Sequence, residues 1–153
     1  MKIIIMRHAQ AVSSGPDRVL TSLGMRETME VAAAINQKYS ITRAYASPLT
    51  RAQQTAQLVL NQANSKVIIE TLPELTPDGD PLTVRALIDA CCNNNDVVLI
   101  LSHVPMVSEL CYEFTSHHEF GPDFVTSAAL LLDYNGQIAT PEHFFAPSCE
   151  QWY

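Results

Sequence analysis

Two histidines and two arginines stand just past short apolar runs of the chain. Arg7-His8 follows Lys2 to Met6 (KIIIM). Ser47-Pro48-Leu49-Thr50-Arg51 follows the run from Arg43 to Ala46, and Ser102-His103 follows Val97 to Leu101 (VVLIL). Paired guanidinium groups present planar forks of N–H donors, which suit a tetrahedral oxyanion. Helices starting near Pro48 and Val104 would aim their positive ends at the same point. A histidine in such an anion pocket has a specific use. Its unprotonated nitrogen is a nucleophile at neutral pH and can take up a phosphoryl group covalently. Neighbouring arginines lower its pKa by like-charge repulsion and keep it unprotonated. A second histidine can donate to the oxygens where charge gathers in the transition state. A lone histidine after a strand is ordinarily structural, and a lone arginine at a helix start is ordinarily a surface residue. The weight lies on their joint occurrence.

Bringing these residues together is a matter of fold. The apolar run at 2–6 reads as a buried parallel strand. A polar loop is expected over 9–20. Thr21 or Ser22 then offers an N-cap for a helix running to about Lys38. Strands are expected at 43–46, 66–70 and 97–101. Ser47-Pro48 is read as a cap followed by proline at the first helical position, opening a helix to about Asn61. Asp80-Pro81 repeats that signal for a helix ending near Cys92, and Val104 to Phe114 is read as a further helix. Ala128 to Tyr134 and Glu142 to Phe145 are late strands, joined by the turn Asn135-Gly136. The alternation predicts an α/β fold in a single domain over 1–153, with a mostly parallel central sheet and helices on both faces. Ligands in such sheets bind beyond the carboxyl ends of the strands, where all three segments lie.

Composition narrows the function classes. The chain has 153 residues, 47% of them hydrophobic and 16% charged, enough to bury a core. Its net charge of −7 argues against non-specific nucleic-acid binding and against docking on anionic lipid. No apolar run approaches a membrane span, and the run at 3–6 is too short for a signal-peptide core. The cysteines Cys91, Cys92, Cys111 and Cys149 contain no C-x-x-C pair. Neither a disulfide framework nor structural zinc is expected, and the expected compartment is the cytoplasm. Cys91-Cys92 is read as a buried helix end. His117-His118-Glu119 is read as a solvated loop rather than a metal site. His143 is read as a packed or edge histidine, and the terminal Trp152 as packing on the sheet edge. No metal and no cofactor are expected.

The segment Ile5-Met6-Arg7-His8-Ala9 resembles the Arg-His-Gly signature of the histidine phosphatase superfamily, whose fold is phosphoglycerate mutase-like. Ser47 to Thr55 (SPLTRAQQT) is similar to its second motif, and Val98 to Val107 (VLILSHVPMV) to the segment bearing its second histidine. Leu20 to Gly24 resembles the superfamily's loop-to-helix junction. Leu72 to Asp80 and Phe124 to Ala128 resemble one compact branch, the SixA-type phosphohistidine phosphatases. The resemblance covers about residues 2–134. It implies that His8 is the nucleophile, that Arg7 and Arg51 bind phosphoryl oxygens, and that His103 completes the pocket. Arg18 matches an arginine of that branch, which implies a phosphate-binding place near the pocket. Ala9 departs from the family glycine and would be strained if the position needed positive φ.

The substrate follows from the leaving group. Phosphate esters expel an alkoxide and need a general acid, placed in relatives after the third strand. Phosphohistidine expels an imidazole, whose conjugate acid has a pKa of about 6.5, so a positioned acid contributes less. The acids of that segment are Glu74, Asp78 and Asp80. Asp80 is read as the cap before Pro81, Asp78-Gly79 as a turn, and Glu74 as structural. The short segment leaves no room for a lid, which suits a phosphohistidine presented on a protein surface. The expectation is a monomeric protein-phosphohistidine phosphatase acting on a phosphotransfer protein in a signalling or sugar-import relay. The alternatives are a small-molecule phosphomonoesterase or mutase of the same superfamily and a catalytically weak phosphate-binding module.

Overall fold

Ile3, Ile4, Ile5 and Met6 are all fully buried, and successive residues enter opposite cores. A strand apolar on both faces belongs inside a sheet covered on both sides. The computed structural model describes residues 1–153, with Cys149 described by its backbone alone. Its elements are, in order, β1 (Lys2–Arg7), β2 (Ala11–Ser14), β3 (Asp17–Leu20), α1 (Ser22–Lys38), β4 (Arg43–Ala46), α2 (Thr50–Gln62) and β5 (Ile69–Thr71). There follow a 3-10 turn (Pro73–Leu75), α3 (Pro81–Cys91), β6 (Val97–Ser102), α4 (Met106–Phe114), β7 (Ala129–Tyr134), β8 (Ala139–Ala146) and β9 (Cys149–Trp152).

Seven strands make the central sheet, in the order β5-β4-β6-β1-β7-β8-β9. The first four are parallel. The last three extend the sheet antiparallel from β1. Helices α1 and α2 cover one face through Val31, Ile35, Ala56 and Leu60, against Ile4 and Leu101. Helices α3 and α4 cover the other through Ile88, Leu110 and Phe114, against Ile5 and Ile100. The expected single α/β domain, with a central sheet between two helix layers, is the fold that forms.

Several local expectations are corrected. The stretch 9–20 is not a plain loop: β2 and β3 pair as a hairpin, with Val12 opposite Val19. Gly15, at φ +60, is the first of its two central turn residues, the position where glycine suits such turns. The third strand starts only at Ile69, where its backbone pairs with Ala44, and Ile68 is left 82% exposed. Helix α2 starts at Thr50, capped by Leu49 without a side-chain bond, because the Ser47 hydroxyl is used elsewhere. Helix α4 starts at Met106. Cys91 is exposed, and Cys92 is half-buried at the margin of the core, with its Sγ 3.7 Å from the Tyr45 hydroxyl. The late strand is longer than expected, and β9 follows it.

Other local readings hold. Thr21 caps α1 by accepting from Gly24 N at 2.9 Å. Asp80 caps α3 by accepting from Leu82 N at 3.1 Å. Trp152 stacks on the buried His143 at the sheet edge, ring centroids 3.7 Å apart.

Candidate active site

Strand register delivers the site residues to one rim. Arg7 pairs with Ser102, and Ala46 with Leu101, so β1, β6 and β4 end at the same level. The next residues are His8, His103 and Ser47. Backbone bonds continue past the strands: His8 N donates to Ser102 O at 3.0 Å, and Ser47 N to Leu101 O at 3.1 Å. Arg51 lies in the first turn of α2. Arg18 comes from the β2–β3 hairpin, where its Nη2 donates to Ala11 O at 3.1 Å. The hairpin is tied to α2 through Asp17, whose carboxylate accepts from the Thr50 hydroxyl.

These segments enclose a pocket of about 220 Å³ lined by Arg7, His8, Arg18, Arg51 and His103, with Gln10, Ala11, Pro77, Val104 and Thr126 completing the wall. The structure thus brings together all five residues singled out from the sequence. The two imidazoles are 6% and 2% exposed, with ring centroids 5.0 Å apart. His8 Nδ1 lies 2.7 Å from Ala9 O. A carbonyl can only accept, so Nδ1 carries the proton and Nε2 keeps a free lone pair. His103 Nε2 lies 2.8 Å from Ser47 Oγ, which already accepts from Leu49 N at 3.2 Å. The Ser47 hydroxyl hydrogen is then free to donate to Nε2, which puts the His103 proton on Nδ1.

Three buried donors on this wall, Arg7 Nε, Arg51 Nε and His103 Nδ1, have no hydrogen-bond partner within the protein. Buried donors are almost always satisfied, so a cluster of unsatisfied ones marks where a ligand's acceptors belong. Burial is the main force lowering the pKa of His8 to about 4, and Arg51, Arg7 and Arg18 lower it further. His103 is pushed down to about 3, again chiefly by burial, with His8 next. Both rings are therefore neutral at pH 7. Burial also lowers Arg7 and Arg51 from the ordinary guanidinium range, and Arg18 adds to this in both. A pocket of this kind binds an oxyanion and sets an uncharged imidazole nitrogen against it.

Ala9 does not have positive φ and is fully buried, so its methyl group fits without backbone strain. Its N–H donates to Thr55 Oγ1 at 3.0 Å, and that hydroxyl donates to Arg51 O at 2.7 Å. The nucleophile loop and the arginine helix are thereby joined. Gly24 is required at its position, because a Cβ there would come 2.4 Å from Gln10 O.

Of the three candidate acids, Asp80 caps α3 and also accepts from Thr83 Oγ1 at 2.7 Å. Asp78 is exposed and Glu74 half-buried, and neither lines the pocket. From that segment only Pro77 reaches the wall. Among the described residues, no group of three or more His, Cys, Asp or Glu side chains is placed to hold a metal. His117 Nε2 pairs with Glu113 Oε2 at 3.2 Å, and His118 Nδ1 donates to Thr115 O at 2.7 Å. Sequence reasoning gave no role to Thr55 or to the segment 124–128. Phe124 O accepts from Arg7 Nη1 at 2.9 Å, and Ser127 N donates to His8 O at 3.2 Å. Only the resemblances of Ser47 to Thr55 to the second motif and of Phe124 to Ala128 to the compact branch pointed there.

A family model described as the histidine phosphatase superfamily (branch 1) matches residues 3–76. The chain belongs to that superfamily. It is 38% identical over 143 residues to the phosphohistidine phosphatase SixA of Escherichia coli (strain K12), covering 89% of this chain and 88% of that protein. A solved structure of the protein histidine phosphatase SixA complexed with tungstate superposes with a TM-score of 0.87 at 36% identity, covering 97% of this chain and 98% of that one. A putative phosphohistidine phosphatase SixA from Agrobacterium tumefaciens shares the fold, with a TM-score of 0.80 at 22% identity over 95% and 97% of the two chains.

Proposed function

We propose that this chain is a protein-phosphohistidine phosphatase that works through a phosphorylated His8. The observation that carries the reading is the set of unpartnered buried donors beside an unprotonated His8, in a pocket with no carboxylate on its wall. The phosphoryl oxygens take the donors of Arg7, Arg51 and His103, with Arg18 at the same wall. His8 Nε2 attacks phosphorus, and the P–N bond to the substrate imidazole breaks. The substrate ring carries a proton on its other nitrogen, so the electron pair goes to the departing nitrogen and a neutral imidazole leaves. Water then attacks phospho-His8. The new P–O bond forms, the pair of the P–Nε2 bond returns to His8, and inorganic phosphate leaves. The arginines and His103 act in both steps, because each passes through a phosphoryl group with charge on its three outer oxygens.

The partner is a phosphotransfer protein bearing phosphohistidine. The 72–81 segment folds as a short turn and builds no lid, which favours a substrate presented on a protein surface. The reading takes residues 1–153 as one histidine phosphatase domain. A monomer suffices for it, since one chain supplies every wall residue. The free thiols of Cys91, Cys92 and Cys111 suit a reducing cytoplasm.

Phosphate release from a radiolabelled phosphohistidine protein, measured beside p-nitrophenyl phosphate, tests the reading. Wild type is expected to strip the protein label much faster than it cleaves the ester, and His8→Ala to do neither. Fast ester cleavage with the label untouched would overturn the substrate assignment. Full activity in His8→Ala would overturn the nucleophile.

A further inference from the structure

One buried polar contact near the pocket has no part in the chemistry above. Thr28 lies mid-way along α1 and is fully buried. A helical threonine ordinarily turns its hydroxyl back to its own helix. Here Thr28 Oγ1 instead lies 3.0 Å from Ser127 Oγ, also fully buried and 99 residues away. Ser127 has φ +66, the left-handed region that side chains other than glycine's rarely adopt. Such strain persists only where the surroundings hold it, and it clusters at functional sites.

What Ser127 belongs to gives the strain a purpose. Its segment bonds to Arg7 and His8 at three points and lends the pocket one wall residue. Phe124 O accepts from Arg7 Nη1, and Ala128 O accepts from Arg7 N at 3.0 Å. Ser127 N donates to His8 O, and Thr126 lines the pocket. A shift of this segment would carry the Arg7 guanidinium and the His8 backbone with it.

We propose that the Thr28–Ser127 hydroxyl pair is a positioning device: it fastens the 124–128 segment to α1 so that Arg7 is held in the pocket wall beside His8. Thr28 and Ser127 are positioning residues, and neither lines the pocket. The inference rests on the phosphoryl-pocket reading above. Its test uses inorganic tungstate, a tetrahedral oxyanion, so that it stands apart from the identity of the substrate.

The test compares Thr28→Val, Ser127→Ala, the double variant and Thr28→Ser for tungstate affinity by calorimetry, phosphohistidine turnover and thermal midpoint. Thr28→Val keeps the volume and removes the hydroxyl. Tungstate affinity and kcat are expected to fall about tenfold in either single variant, since small misplacements of a binding group have effects of that size or more. The double variant should lose no more than a single one, because the two hydroxyls act as one contact. Thr28→Ser should restore affinity to within about twofold. A merely structural role predicts a lower thermal midpoint with tungstate affinity unchanged, and that result would overturn the proposal. So would additive losses in the double variant. If Thr28→Val does not fold, Ser127→Ala against Thr28→Ser decides by the same measurements. Normal tungstate coupling in a protein that leaves phosphohistidine intact would uphold the device and overturn only the substrate.

Discussion

The two ends of the sheet each bury histidine, and only one end makes a reactive site. At the parallel end, His8 and His103 sit past β1 and β6 among arginines. At the antiparallel edge, His143 on β8 is fully buried between the rings of Phe145 and Trp152, at 3.9 and 3.7 Å. Burial lowers the pKa of all three. The difference lies in what surrounds the neutral ring. His8 is fixed in one tautomer by Ala9 O and faces unpartnered donors. His143 has the Lys38–Glu150 ion pair beside it, with Glu150 Oε1 3.1 Å from Nε2 but without hydrogen-bond alignment. Its faces are closed by aromatic rings. Burial and a lowered pKa make an imidazole neutral. Converging donors and an open approach make it a nucleophile. Parallel strands supply both, because their carboxyl ends leave loops and helix N-termini at one level.

The largest effect should come from breaking the donor cluster. Arg51→Ala is expected to reduce phosphohistidine turnover by about 100- to 1,000-fold, the range for removing a positioned donor to transition-state charge. Lys38→Ala removes a cation from the other end and should leave turnover unchanged. Equal losses in initial-rate assays would mean that bulk charge, not geometry, drives the reaction.

Next in size is the response to acid. His8 is held near 4 and His103 near 3, both below the ordinary value of about 6.5. The unfolded chain binds protons at these groups before the folded one does. Their contribution to stability is complete above pH 6.5 and is lost as pH falls from 6.5 to about 4 for His8 and about 3 for His103. Thermal midpoints should drop across that window, and an NMR titration of the His8 ring should show a midpoint near 4. A midpoint near 6.5 would remove the argument for a neutral nucleophile by burial. His143→Phe should make the acid loss shallower, since it deletes one of the three groups, while turnover stays as in wild type.

The parallel end was legible in the sequence because strand ends and chemistry coincide there. KIIIM, RAYA and VVLIL each stop at the residue types that do the work, and parallel topology converts that into convergence. The hairpin bearing Arg18 was hidden, because its strands are four residues each and mostly exposed, with Gly15-Pro16 as the turn signal. Ser47 looked like a helix cap because Ser-Pro is also a capping pattern. Only the spatial neighbour His103 shows where its hydroxyl goes. The fastening of segment 124–128 was invisible for a deeper reason. A contact between residues 28 and 127 leaves no periodicity, and a positive φ at a serine has no local signature. The antiparallel edge was half-read, since β9 is short and adds no alternation long enough to separate from a loop.

The smallest expected effects lie at the acids of the 72–80 segment, and they bear on the substrate. Asp80→Ala should lower stability by about 1 kcal/mol through the lost α3 cap and leave chemistry alone. Gly79 shows why the segment is tight: a Cβ there would come 1.7 Å from Glu74 O, so the turn folds the backbone of 74 onto 79. That packing explains Glu74 as part of a structural turn. Glu74→Gln and Asp78→Asn should each keep phosphohistidine turnover within about twofold of wild type, because an imidazole leaves without a positioned acid. An ester would need one. If either substitution abolished turnover of both an ester and phosphohistidine, an acid would have to move into the pocket during reaction, and the leaving-group argument for phosphohistidine would fall.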